Sequence, residues 1–432
     1  MTYRPETLAL HAGWRADPAN GAVAVPIFQT TSYQFEDSAA ARALFAGERL
    51  GFAYTRTSNP TNEVLEKRIT ALEGGAGALA VASGQAASAL SILALTEAGD
   101  NVVASTDLYG GSYNLLDNTL RRQGVETRFV DPADPEAFAR ATDSRTRAYY
   151  AETLPNPKLQ VFPIAEVAAI GRSFGIPLIL DNTAAPVLAR PFDHGAAIVV
   201  YSATKYLGGH GTSIGGLIVD GGDFPWAAHP ARQPALNAPD PSYHGAIWVE
   251  TGRRLGIPPY IALVRSTVQR DLGAPLSPFN AFQLLQGIET LPLRIAQHAR
   301  NAAVVAAWLA GHPLVARVIH PSLQEGAARA RAERYLQGGF GGLVGFELRE
   351  GSDPARFIDA LKLFYHVANI GDARSLAIHP ASSTHFQLSP EAQRAAGVTP
   401  GYVRLSIGLE HVEDILGDLS QALDAARLSR AA

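Results

Sequence analysis

At 432 residues the chain is too long for one ordinary core, so two or three domains are expected. A composition 47% hydrophobic and 18% charged is that of a globular protein, and a net charge of −4 argues against a generally basic nucleic-acid surface. With no cysteine, disulfides, thiolate metal sites and cysteine nucleophiles are excluded. The start, MTYRPETLALHAGW, has no basic stretch followed by an apolar run, and no apolar run approaches the roughly 18 residues of a membrane span, so the cytoplasm is the expected compartment. Only four lysines occur (Lys67, Lys158, Lys205 and Lys362), so chemistry that needs an amine has few candidates.

Residues 1–58 are irregular and aromatic and read as an extension that packs on something else. Asn59-Pro60 opens a helix, carrying Leu65, Ile69 and Leu72 at helical spacing and stopped by Gly74-Gly75. ALAVAS (78–83) is a buried strand that turns at Ser83-Gly84-Gln85 into an apolar helix. NVVAS (101–105), RTRAYYAET (145–153), IPLILDN (176–182) and AIVVYSATK (197–205) are further strands, and GGLIVDGG follows. Short apolar strands alternating with helices predict an α/β fold with a doubly wound, mostly parallel sheet. Residues 223–250 are rich in proline and aromatics and read as an ordered insertion. A long helical stretch spans about 278–310, then strands near GGLVGFELRE and GYVRLSIGLE precede a last amphipathic helix with Val412, Ile415, Leu416, Leu419 and Leu423. This predicts an N-terminal extension (1–58), a large domain (59–265) and a smaller α+β C-terminal domain (266–432).

Lys205 falls at a predicted strand end before the glycine-rich YLGGHG, where parallel sheets place their sites. Its amine could condense with an aldehyde while the hydroxyls of Ser202 and Thr204 bond a phosphate. Asp181 ends the preceding strand and could keep a pyridine nitrogen protonated, or simply cap the next turn. Gly84 and Gln85 open a helix whose free N–H groups suit a phosphate, although an ordinary strand-to-helix turn looks the same. Tyr109 follows the NVVAS strand and could stack on a flat ring or pack in the core. Arg404 sits inside an apolar strand and needs a partner, either a substrate carboxylate or a structural ion pair. Gly75-x-Gly77-x-x-Ala80 precedes its strand and is no dinucleotide fingerprint. The spacing of His379 and His385 matches no metal signature, so no metal is assigned.

These segments together resemble the Cys/Met-metabolism family of pyridoxal-phosphate (PLP) enzymes, of fold type I. The matching stretches are Tyr54-Thr-Arg56-Thr-Ser-Asn-Pro60, Ser83-Gly-Gln85, Asp107-Leu-Tyr109-Gly, Glu152-Thr-x-x-Asn156-Pro, Asp181-Asn-Thr, Ser202-Ala-Thr-Lys205-Tyr, Asn369-x-Gly-Asp-x-x-Ser375-Leu and Val403-Arg404-Leu-Ser. The resemblance implies that Lys205 carries pyridoxal 5′-phosphate and moves protons. It implies that Asp181 pairs with the ring nitrogen, Tyr109 stacks on the ring and Asn156 bonds the ring 3-oxygen. Gly84, Gln85, Ser202 and Thr204 would hold the phosphate, and Ser375, Arg404 and Asn156 the substrate. Tyr54 and Arg56 would reach the neighbouring subunit's phosphate, so a homodimer, paired into a homotetramer, is implied. Length, the 223–250 insertion and residues 369–385 point to the branch that replaces the acetoxy group of O-acetyl-L-homoserine with sulfide or methanethiol, in methionine biosynthesis. Gly111 stands where methionine γ-lyases carry cysteine; Arg374 and Phe386 also depart from the branch's usual residues. A γ-lyase or cystathionine γ-synthase activity stays open as the alternative.

Overall fold

The structure, a computed structural model, describes residues 3–427 apart from 385, 387 and 388. The helix Pro60–Glu73 begins where the Asn59 side chain accepts the Thr61 N–H at 2.9 Å, with proline in the first turn. Gly74, at φ +74°, ends it. Leu65, Ile69 and Leu72 are all buried, as their helical spacing requires.

Seven strands form the large sheet: β1 (Gly77–Val81), β2 (Asn101–Ser105), β3 (Glu126–Val130), β4 (Thr146–Glu152), β5 (Leu178–Asp181), β6 (Ile198–Ser202) and β7 (Gly216–Asp220). Their spatial order is β1-β7-β6-β5-β4-β2-β3. Only β7 runs against the rest, pairing antiparallel with both β1 and β6. Both faces are covered, which explains the near-continuous apolar strands. Alternation divides them: Tyr149, Leu180 and Val199 enter one core, whereas Tyr150, Ile179 and Val200 enter the other. The carboxyl ends of β1, β2, β4, β5 and β6 therefore reach one common edge.

A second sheet holds β8 (Val315–Ile319), β9 (Leu343–Leu348), β10 (Tyr365–His366), β11 (Leu376–Ile378) and β12 (Tyr402–Ser406), ordered β10-β11-β12-β9-β8. The final helix, Val412–Ala425, buries Ile415, Leu419 and Leu423 against Phe346, Val403 and Leu405.

Four expectations change. Residues 1–58 contain two helices, Pro5–His11 and Ser38–Phe45. The 278–310 stretch is two helices, Pro278–Glu289 and Leu291–Ala310, broken at Thr290 where Pro292 enters the second first turn. The insertion 223–250 is a string of short helical turns. Strand β6 stops at Ser202, so Lys205 stands in the turn beyond the strand and not on it. No helix among the described residues is long and apolar enough to cross a membrane.

Candidate active site

The turn that bears Lys205 is fixed by its own backbone and by a buried arginine. Gly208 donates its N–H to Ala203 O at 2.9 Å, and Gly209 to Lys205 O at 2.8 Å. Carbonyls at the end of such a turn lack internal donors. Arg294, on the helix Leu291–Ala310, supplies them: Nη1 donates to Tyr206 O at 2.8 Å, and Nη2 to Leu207 O at 3.2 Å and Gly287 O at 2.7 Å. Position 209 has to be glycine, at φ +71°, because a Cβ there would lie 2.1 Å from Arg294 Nη1.

The Lys205 amine donates to Asn369 Oδ1 at 2.6 Å. Burial, and then the nearby Arg404 guanidinium, push its pKa below the ordinary lysine value. Arg404 is buried on β12 and donates Nη2 to Asn369 O at 3.0 Å. Its buried Nε has no partner, and no ion pair among the described residues includes it. Burial lowers the Arg404 pKa, partly opposed by Tyr402, Tyr206 and Tyr109. A buried guanidinium with an unfilled donor matches an incoming carboxylate better than it matches a structural ion pair.

Asp181 closes β5, in register with Glu152 at the end of β4. Its Oδ1 accepts the Thr183 N–H at 2.9 Å, so it caps that turn as well. Burial raises its pKa. Glu152 is raised much further, first by burial and then by the Asp181 charge, even though it accepts the Tyr109 N–H at 2.6 Å. A cation beside Asp181 would relieve both.

Tyr109 is half exposed at the start of the short helix Gly110–Asn114. Its loop is held by Glu152, by Gln85 Nε2 donating to Gly111 O at 3.0 Å, and by the Lys158–Asp107 ion pair at 2.6 Å. Asn156, in the loop after β4, buries an Oδ1 with no partner among the described residues.

Ser83 caps the helix Gly84–Leu93 through Ala86 N at 3.1 Å, leaving the Gly84 and Gln85 N–H groups without helical acceptors. A Cβ on Gly84 would lie 2.5 Å from Ser202 Cβ, so the helix end and the end of β6 meet only because residue 84 is glycine. A phosphate cradle of backbone N–H groups beside the Ser202 hydroxyl fits this arrangement.

Four predicted residues sit differently from the rest. The Thr204 hydroxyl is engaged with the Gly215 backbone, accepting its N–H at 3.1 Å and donating to its carbonyl at 3.3 Å. Ser375 is buried, its hydroxyl donating to Glu410 at 2.9 Å and accepting the Gly408 N–H at 2.9 Å, so that hydroxyl is committed to the fold. Tyr54 and Arg56 are exposed, with the guanidinium 5.5 Å from the Tyr54 ring, and no hydrogen bond or ion pair among the described residues joins them to Lys205, Asp181 or Arg404. His379 bonds Ser382 and Pro400 O, and His385 lies outside the described residues.

Sequence reasoning gave no role to Glu152, Asn369 or Arg294. For Arg294 a signal existed: with Leu291, Ile295 and His298 it falls on the buried helix stripe. Glu152 resembled Asp181, a carboxylate closing an apolar strand.

The family model described as Cys/Met metabolism PLP-dependent enzyme matches residues 6–424. The chain is 52% identical over 429 residues to an O-acetyl-L-homoserine sulfhydrylase of Leptospira meyeri, covering 98% of this chain and 97% of that one. A crystal structure described as an O-acetylhomoserine (thiol)-lyase of Campylobacter jejuni, with N'-pyridoxyl-lysine-5'-monophosphate at its position 205, aligns at TM-score 0.93 and 41% identity over 98% of this chain and 100% of that one. Cystathionine gamma-lyase of Lactobacillus plantarum, complexed with L-serine, aligns at TM-score 0.83 and 30% identity over 98% and 99%.

Proposed function

We propose, for a chain that belongs to the Cys/Met-metabolism PLP-dependent enzyme family, a γ-replacement reaction: O-acetyl-L-homoserine and sulfide give L-homocysteine and acetate. The observation that carries the site assignment is the juxtaposition of a buried, unpaired Arg404 with the Lys205 amine through Asn369. The Leptospira relative's name supplies the substrate pair.

When bound, pyridoxal 5′-phosphate supplies an electron-withdrawing ring that stabilises negative charge developing on the substrate. The residues of this chain do the rest. The Gly84 and Gln85 N–H groups and the Ser202 hydroxyl would hold the phosphate, with Thr204 bracing the Gly215 loop behind. Asp181 would keep a ring nitrogen protonated, and that cation would in turn ease the burial of both Asp181 and Glu152. Tyr109 would lie over the ring, on a loop set by Glu152, and Asn156 would face the ring 3-oxygen. Arg404 takes the substrate carboxylate, with Asn156 beside it, which points the Cα–H toward Lys205. Burial and Arg404 favour the neutral amine, the form that can remove the Cα proton and later return one. A Cβ proton is removed next, acetate leaves from Cγ with the C–O bonding pair, hydrosulfide supplies the pair for the new C–S bond at Cγ, and protons return to Cβ and Cα.

Residues 26–59 would complete the site of a second copy of this chain. Thr61, Asn59, Arg265 and Gln269 anchor this segment, while Phe45, Leu50 and Tyr54 remain exposed. An apolar surface of that kind suits a subunit interface. It would carry Tyr54 and Arg56 to the partner's phosphate.

The test is product analysis on purified, cofactor-loaded protein given O-acetyl-L-homoserine and sulfide. Homocysteine and acetate in equal amounts are expected. α-Ketobutyrate and ammonia would assign elimination instead and overturn the replacement reading, as would cystathionine forming with cysteine while sulfide is inert.

A further inference from the structure

We propose that Asn369 is a positioning residue of this reaction: its side-chain carbonyl holds the Lys205 amine whenever that amine is free of cofactor, and its main-chain carbonyl ties the same residue to the carboxylate anchor Arg404. This rests on the reading of Lys205 as proton carrier.

The geometry is direct. Lys205 Nζ lies 2.6 Å from Asn369 Oδ1, and Arg404 Nη2 lies 3.0 Å from Asn369 O. A lysine amine on a four-carbon stem samples many rotamers, and that rotamer entropy opposes holding it in one place. An acceptor fixed in the protein lowers that cost at the moment of reaction. Asn369 is fixed from two sides: Gly371 donates its N–H to Ser406 Oγ on β12 at 2.9 Å, and Ala373 donates to Gly209 O in the Lys205 loop at 2.8 Å. The acceptor thus moves with both groups that it joins.

The residue type also matters. A neutral amine has N–H groups to donate and one lone pair with which to take the Cα proton. An amide oxygen accepts one N–H and leaves the lone pair free. A carboxylate in the same place would hold the amine too, but it would favour the ammonium ion, which has no lone pair. Asparagine therefore orients the base without protonating it. Among the described residues the charge acting on the amine is Arg404 of β12. Tyr109, Tyr206 and Tyr402 surround that guanidinium, and Asp181 and Glu152 stand at the ends of β5 and β4. The Asn369→Asp variant would add the one opposing charge in direct contact with the amine.

The experiment uses full-length wild type, Asn369→Asp, Asn369→Ala and Lys205→Ala, each checked for melting temperature. Visible absorbance reports cofactor loading. After cofactor removal, acetic anhydride labelling across pH is followed peptide by peptide; with only four lysines, Lys205 is resolved and Lys67 serves as reference. Asn369→Asp is expected to move the Lys205 labelling midpoint up by about one to three pH units. The acid limb of kcat/KM should move the same way. Asn369→Ala is expected to lower kcat about 10- to 100-fold with KM held within about twofold, as for a misplaced reacting group. A loaded, folded Asn369→Asp protein with the wild-type labelling midpoint, or an Asn369→Ala protein with wild-type kcat, overturns the Asn369 assignment alone. A wild type without cofactor absorbance, or a Lys205→Ala protein that turns over normally, overturns the underlying reading of Lys205 instead.

Discussion

Replacing Arg294 by methionine, which keeps most of the side-chain volume, removes the guanidinium that closes the lysine-bearing turn. Two buried carbonyls, those of Tyr206 and Leu207, lose their donor, whereas Gly287 O keeps the Thr290 N–H at 3.3 Å. Each orphaned carbonyl costs about 1–3 kcal/mol. Against this stands the burial of the arginine itself, which has no carboxylate partner among the described residues and whose pKa is pushed down to about 10. Relief of that burial returns about 3 kcal/mol at 1.36 kcal/mol per pKa unit. The net loss is on the order of 1 kcal/mol, concentrated in one turn. Because a chain of 432 residues with two sheets need not unfold in one step, a local probe is the right assay. Hydrogen exchange of the Gly208 and Gly209 amides should accelerate about fivefold in Arg294→Met, with weaker cofactor retention. Arg294→Lys, a point donor without the fork, should fall between. Wild-type exchange at residues 203–211 together with unchanged cofactor retention would refute the idea that Arg294 holds this turn.

Arg404→Ala should reduce kcat/KM for O-acetyl-L-homoserine about 100-fold or more while the cofactor absorbance persists, which steady-state kinetics on the loaded variant will check; equal loss of cofactor would count against a carboxylate role. Glu73 makes a pH prediction. It is buried, accepts the Tyr201 hydroxyl at 2.5 Å, and burial raises its pKa to about 7. The folded state therefore binds this proton more tightly than the unfolded chain does. The contribution is complete below about pH 4.5 and is lost as pH rises to about 7. Glu73→Gln should remove that part of the slope, so melting temperatures measured between pH 5 and 8 should fall less steeply than in wild type.

Much of the fold was legible because local signals agreed. Asn59-Pro60 and Gly74 bracket a helix by capping chemistry alone, and the apolar runs at 101–105 and 178–181 could be nothing but covered strands. Strand β3, with a half-exposed edge and the mixed sequence ETRFV, gave no such signal. The length of β6 was overestimated because Ala203 continues the apolar pattern although the chain has already turned. Lys205, Asp181 and Arg404 stood out as charges inside apolar segments. Asn369 did not: a polar residue in a loop has no pattern to violate, and its meeting with Lys205 spans 164 positions of chain. The contacts of Ser375 were no more legible, because Glu410 and Gly408, both distant in sequence, take its hydroxyl.

The most direct test of the central claim is to reduce the cofactor-loaded protein with borohydride, digest it and locate the pyridoxyl group by mass spectrometry. The account predicts the label on Lys205 and on none of Lys67, Lys158 or Lys362. A label on any of those three, or no label on a protein that converts O-acetyl-L-homoserine and sulfide to homocysteine, would contradict it.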